Sequence, residues 1–173
     1  MDELLDQMDA ASAEGRHLIA LYIAMTIPDA CAGLQSTDGR SSGAKYKDWF
    51  DSNMLGGYDE LPFGSGLDAK VWMTGQDCWL FRCAILHQAR GDHTAAPDKR
   101  IAFGIDGMHK GRYAGNLVIF SAQQFVHDMS RSARTWLDGA RHSEPVASNL
   151  EHSIRLRDGL SIEGVTFGGG IIA

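Results

Sequence analysis

Thr74 to Gly91, TGQDCWLFRCAILHQARG, carries the start and stop signals of a single helix, and the character of that helix constrains everything around it. Thr74 is an N-cap, Asp77 stands at the third helical position where a carboxylate meets the positive helix end, and Gly91 supplies a C-terminal stop. At about 100° per residue, Cys78, Trp79, Leu80, Phe81, Cys83, Ala84, Ile85, Leu86 and Ala89 leave no wholly polar face. Such a helix is buried. Inside it stand Arg82 and His87, and a guanidinium flanked by Cys78, Leu86 and Ala89 on the wheel needs a partner or a function.

Working toward the N-terminus, Ser42 to Met54 predicts a helix with a Tyr46, Trp49 and Phe50 packing stripe, ended by Gly56-Gly57. Gln35 to Gly43 is turn chemistry. Asp2 to about Thr26 predicts a helix whose second half is increasingly apolar, and Pro28 to Leu34 a short helix after a bend, because proline suits a first helical turn. Tyr58 to Met73 is an irregular connection into the central helix.

Toward the C-terminus, DHTAAPDKR after Gly91 reads as an exposed loop, Ile101 to Ile105 as a strand and Leu117 to Phe120 as its partner, with Asp106 to Gly115 a turn-rich link. Ser121 with Gln124 forms a capping box for a helix to about Asp138, carrying Phe125, Met129, Ala133 and Trp136 at helical spacing. Pro145 to Leu150 is a short helix, Ser153 to Arg157 a strand, and Val165 to Ala173 an apolar tail. With no repeat and no second domain, residues 1–173 are expected to form one domain. Its class is mainly α, a helical bundle with a small β-hairpin or sheet in the second half, and α+β is the alternative.

Hydrophobic residues at 44% and charged residues at 22% are ordinary globular values. The opening MDELLDQMD is acidic where a secretory signal is basic, and no apolar run approaches the roughly 20 residues that span a bilayer, so a cytoplasmic protein without membrane partners is expected. Cys31, Cys78 and Cys83 form an odd set without paired spacing and read as reduced core residues.

The net charge of −6 argues against indiscriminate nucleic-acid binding, but charge is unevenly placed. Residues 1–80 hold 13 acids and 5 bases, residues 81–173 hold 9 acids and 11 bases. Around the central helix, Arg90, His93, Lys99, Arg100, His109 and Lys110 could form a local anion site; a solvated loop is the alternative.

Among chemical constellations, the tail VTFGGGIIA lacks the Lys-Ser/Thr of a phosphate loop, and Asp106-Gly107 lacks the further oxygens of a calcium loop. Cys83 and His87 share a helix face, but two ligands do not make a metal site; no metal or cofactor is assigned. Arg82 and His87 suit a different chemistry. Arginine holds phosphate through a fixed fork of donors and histidine moves protons near neutral pH, which together serve phosphodiester cleavage without a metal. On an ideal helix they lie about 140° and 7.5 Å apart, so convergence needs the length of the arginine, a distortion near Gln88, or a second subunit. In the structural alternative, Arg82 neutralises Asp29, Asp48 or Asp51, His87 satisfies a backbone or carboxylate bond, and Cys83 is packing.

TIPDAC at Thr26 to Cys31, SGAKYKDWFD at Ser42 to Asp51 and TGQDCWLFRCAILHQ at Thr74 to Gln88 resemble a group of uncharacterised bacterial helical proteins. Arg82-Cys-Ala-Ile-Leu-His87 also resembles the Arg-x4-His motif of the HEPN superfamily, helical domains that include metal-independent ribonucleases and noncatalytic nucleotide- or partner-binding modules. The chain departs from the commoner pattern in having Cys83 after the arginine, where a polar residue is usual, and in its strand-bearing second half. The resemblance implies an RNA or nucleotide partner and a homodimer that brings two motifs into one cleft. His87 would then act as base or acid at the ribose 2′-hydroxyl and the leaving 5′-oxygen, with Arg82 stabilising the charged transition state. Two other functions fit the same residues: a noncatalytic dimeric helical module with a structural Arg82, and a small-molecule sensor or enzyme with Trp72, Trp79 and His109 lining a pocket between the halves.

Overall fold

The first helical stretch breaks at Gly15, not at Pro28. In the computed structural model, α1 (Asp2–Ala13) is followed by α2 (His17–Leu34), which runs unbroken through Pro28. Gly15 takes φ 76°, and its N–H donates to Ser12 O while Arg16 N–H donates to Ala11 O, the paired bonds by which a left-handed glycine closes a helix. Pro28 lies inside α2 and is buried with it in the core. The structure describes residues 1–54, 73–90, 92–96, 99–105, 111–114, 116–153, 156–162 and 165–172, with 92–96, 111–114, 156–162 and 165–172 described through their backbone alone.

Mainly helical architecture surrounds α2, which packs against α1, α3 (Gly43–Asn53), α4 (Gly75–Gln88) and α5 (Ala122–Ala140). Ala20, Ala24, Met25, Ile27, Cys31 and Ala32 of α2 are fully buried. It comes nearer to a membrane span than the composition suggests, with 18 residues at a mean hydropathy of 1.4, yet 56% of that stretch is buried inside the protein. Its apolar surface is used for packing. Across the bundle, Arg134 of α5 donates to Asp6 (2.8 Å) and Asp9 (2.9 Å) of α1, and Ser130 Oγ adds a bond to Asp9 (2.8 Å).

α3 begins where Ser42 Oγ accepts from Lys45 N–H and buries Tyr46, Trp49 and Phe50 as its stripe requires. It stops at Asn53; Gly56-Gly57 and the connection from Tyr58, with Trp72, lie outside the described residues. α5 starts at Ser121, whose Oγ accepts from Gln124 N–H (3.2 Å), while the Gln124 side chain turns to Asp128 (3.0 Å) and leaves only half of the expected capping box. α6 (Val146–Glu151) follows a turn at Pro145.

Strands are present beyond the expected pair at Ile101 to Ile105 and Leu117 to Phe120 and the strand expected at Ser153 to Arg157. β1 (Asp92–Ala96) occupies most of the stretch read as an exposed loop, and β3 (Gly111–Ala114) lies in the supposed link. With β2 (Lys99–Gly104) and β4 (Leu117–Ser121) they form a sheet in the order β1-β2-β4-β3. The expected partners β2 and β4 are parallel, Ile101 opposite Val118 and Phe103 opposite Phe120, while β1 and β3 flank them antiparallel. The tail forms a second sheet, an antiparallel hairpin of β5 (Leu156–Ile162) and β6 (Val165–Ile172). The four-stranded sheet joins the bundle through aromatic rings: Phe103 of β2 meets Phe81 of α4 at 4.9 Å, Phe120 at 5.7 Å and Phe125 of α5 at 5.0 Å.

Candidate functional site

The site is built on α4, and its two ends are held differently. At the N-terminus Thr74 and Asp77 form a complete capping box: Thr74 Oγ1 accepts from Asp77 N–H (3.1 Å), and Asp77 Oδ2 accepts from Thr74 N–H (2.9 Å). Gly75 lies directly against α3, where a Cβ would fall 2.8 Å from Lys47 Cα, and its N–H donates to Asp51 Oδ1 (2.6 Å). Only glycine permits that approach. The C-terminus closes at Ala89, two residues before Gly91, and Ala89 takes a left-handed φ of 52° without being a glycine.

Between these ends Arg82 and His87 meet within one chain. Arg82 Nη1 lies 3.2 Å from His87 Nε2. The helix is regular to Gln88, so the length of the arginine side chain covers the angular offset without a distortion or a second subunit. Two further groups meet the guanidinium. Asp29 Oδ2 of α2 is 2.8 Å from Nη2, and the Trp79 ring centroid is 5.1 Å from the guanidinium carbon. Ser41 Oγ in turn donates to Asp29 Oδ1 (2.9 Å). Asp29 Oδ2 and Arg82 Nε satisfy no directed hydrogen bond, so the 2.8 Å contact is a charge pair lying off the N–H axis, not the two-bond fork open to arginine and carboxylate.

Burial grades across this cluster. Arg82 is 19% exposed and Asp29 22%, whereas His87 is exposed at the helix end. Trp79 is set in place by an edge contact to Tyr46 (5.1 Å) and by Gly43, where a Cβ would stand 3.1 Å from its ring. Tyr22 of α2 donates to Ile85 O (3.1 Å), a second tie between α2 and the half of α4 that carries the pair.

Of the three acids considered for Arg82, Asp29 is the one that meets it; Asp51 serves Gly75 and Asp48 is exposed on α3. Cys83 is partly exposed, while Cys31 and Cys78 are buried. Burial pushes the Cys78 thiol up to about 12 and raises Cys31 well above the ordinary range. Tyr46 joins this interior, its hydroxyl lying 3.1 Å from both Met25 O and Cys78 Sγ, and burial lifts its pKa as well.

Of the proposed anion-binding residues, Arg90, Lys99 and Arg100 are described with their side chains. Lys99 Nζ lies 2.6 Å from Asp77 Oδ2 at the far end of α4, tying β2 to the capping box. Arg90 and Arg100 are exposed. His93 is described through its backbone alone in β1, and His109 and Lys110 lie outside the described residues. Of the residues for a pocket between the two halves, Trp79 packs beside Arg82, and Trp72 and His109 are outside the described residues.

Two features had no sequence signal. Asp128 is a nearly fully buried carboxylate on α5, meeting Gln124 and Arg131 (3.2 Å), in a position that looks like an ordinary polar residue of an amphipathic helix. A groove of about 680 Å³ between α1 and α5, lined among others by Asp9, His127, Arg131 and Arg134, mixes both charge signs. No protein-family model, curated protein or solved structure matches this chain.

Proposed function

We propose that this protein binds RNA or a nucleotide at Arg82 and His87 and, in the manner of the HEPN-like domains it resembles, cleaves RNA without a metal. The observation that carries this is the 3.2 Å approach of Arg82 Nη1 to His87 Nε2 at the exposed end of α4. A phosphodiester needs a fixed cation for its oxygens and a proton-transfer group within reach, and this pair supplies both kinds of group side by side. His87 removes the 2′-hydroxyl proton as that oxygen attacks phosphorus; the 5′-oxygen leaves and takes up a proton, and a 2′,3′-cyclic phosphate remains. Arg82 offsets the charge that builds on the non-bridging oxygens. A homodimer with two pairs in one cleft and a cytoplasmic location belong to the same proposal.

A noncatalytic role for Arg82 has its own support. The Asp29 contact at 2.8 Å gives the partly buried guanidinium the counter-charge that a structural arginine requires. Under this alternative the chain is a helical partner-binding module. RNA cleavage in the presence of a chelator, with Arg82→Lys and His87→Ala compared against wild type, separates the two. Ribonuclease chemistry predicts cyclic-phosphate products and a loss of about a hundredfold or more in His87→Ala, with an unchanged circular dichroism spectrum because His87 is exposed. An inactive wild type, with Arg82→Lys losing its fold, supports the module.

A further inference from the structure

The contacts around Arg82 form a chain that ends at the exposed His87: Ser41 Oγ to Asp29 Oδ1 at 2.9 Å, Asp29 Oδ2 to Arg82 Nη2 at 2.8 Å, Arg82 Nη1 to His87 Nε2 at 3.2 Å. The direction of the last bond is settled by chemistry. A guanidinium has donors and no acceptor and stays protonated in proteins, so His87 Nε2 must present its lone pair to Nη1. The ring is then neutral and its proton sits on Nδ1. Helix geometry alone does not dictate this arrangement, because residues five apart lie about 140° from each other on an ideal helix and a free arginine samples many rotamers. What removes that freedom comes from outside Arg82: the Asp29 carboxylate on α2 and the Trp79 ring 5.1 Å from the guanidinium carbon.

We propose that Asp29 is a positioning residue which, through Arg82, holds His87 in the Nδ1-protonated tautomer with Nε2 occupied, so that a phosphate must engage Arg82 Nη1 before Nε2 is free to accept a proton. This rests on Arg82 and His87 forming a phosphodiester site and adds how that site stays quiet without substrate. A phosphate oxygen is a stronger acceptor for Nη1 than a neutral imidazole, since both partners then carry charge. Binding of the anion and release of the base are thereby one event. The carboxylate also limits how far Arg82 can follow the anion, keeping the guanidinium beside His87 while the phosphate is held.

The tautomer is read directly by long-range 1H–15N correlation of the histidine side chains in the full chain at about pH 8, where an ordinary imidazole is neutral. Wild-type His87 is expected to carry its proton on Nδ1. In Asp29→Asn the ratio of the two tautomers falls toward the Nε2-protonated form by about tenfold, as loss of the counter-charge that holds the guanidinium allows, and Asp29→Glu restores it. Inorganic phosphate added to wild type moves His87 in the same sense as Asp29→Asn. A proton on Nε2 in the wild type overturns the proposal, as does a folded Asp29→Asn variant with the wild-type ratio. Should Asp29→Asn fail to fold, the wild-type spectrum and the phosphate titration decide, and a His87 signal that phosphate leaves unmoved is contradictory. RNA cleavage is scored separately. An inactive wild type with an Asp29-dependent tautomer removes the ribonuclease and keeps the positioning role; an active enzyme whose tautomer ignores Asp29 does the reverse.

Discussion

Lys99 Nζ of β2 lies 2.6 Å from Asp77 Oδ2, the same oxygen that accepts the Thr74 N–H (2.9 Å) and closes the capping box of α4. One carboxylate thus starts the helix that carries Arg82 and fastens the sheet to it. Asp77→Ala removes both contacts and is expected to cost about 2 kcal/mol, the sum of a lost cap and a largely buried ion pair. Urea unfolding checks this: the midpoint should fall with an unchanged slope.

Gly75 is the tightest point between α3 and α4. A methyl group there would meet the Lys47 backbone, which cannot rotate aside as a side chain can. Gly75→Ala is expected to destabilise by about 1–3 kcal/mol, the usual range for overpacking, despite the better helix propensity of alanine. A rise in thermal midpoint would contradict the close approach.

Ala89 asks for the opposite substitution. Its φ of 52° is a left-handed conformation that costs a residue with a Cβ about 1 kcal/mol. Ala89→Gly should stabilise by about 0.5–1 kcal/mol, measurable as a higher urea midpoint.

Arg141 donates to both oxygens of Asp2, at 3.0 and 2.7 Å, and this bonding holds the Asp2 carboxyl below the ordinary carboxylate range. Because the folded-state pKa is depressed, the stabilisation is fully present above the unfolded value near 3.9 and is lost as pH falls through the folded value. Both side chains are over a third or about a third exposed, 52% for Asp2 and 34% for Arg141, so the pair is worth under about 1 kcal/mol. Arg141→Ala should therefore destabilise slightly at pH 7, and the difference from wild type should vanish in acid and shrink in high salt. A difference that persists below pH about 2 would assign the effect to packing.

The thiols make a kinetic prediction. Cys78 and Cys31 are buried with raised pKa values, whereas Cys83 is partly exposed. Iodoacetamide should modify Cys83 first in the native protein, and the other two only on unfolding. Early modification of Cys78 would contradict its burial against Tyr46 and Met25.

Local chemistry made part of this fold readable in advance. The cap at Thr74 and Asp77 and the Tyr46, Trp49 and Phe50 stripe depend on neighbours within one or two turns, and both stand as the residues suggest. Pro28 misled because proline tolerates a helix start and signals strongly, while the real break came from Gly15, a single residue able to take a positive φ. β1 and β3 were hidden for another reason. DHTAA and GRYA lack apolar alternation, and only pairing with β2 and β4 makes them strands. At the site, the wheel placed Arg82 and His87 far apart because it treats side chains as radial vectors, and a long arginine is not one. Which of Asp29, Asp48 and Asp51 would face Arg82 depended on how α2 and α3 pack, a long-range outcome with no local signature.

Arg82 and His87 acting as one unit is most directly tested by a double-mutant cycle on RNA cleavage with Arg82→Lys, His87→Ala and the double variant, all shown to be folded. Residues that serve a single transition state lose activity together, so the double variant should be no more than about threefold slower than the worse single variant. Losses that multiply would mean two independent contributions, and cleavage untouched by His87→Ala would contradict the account.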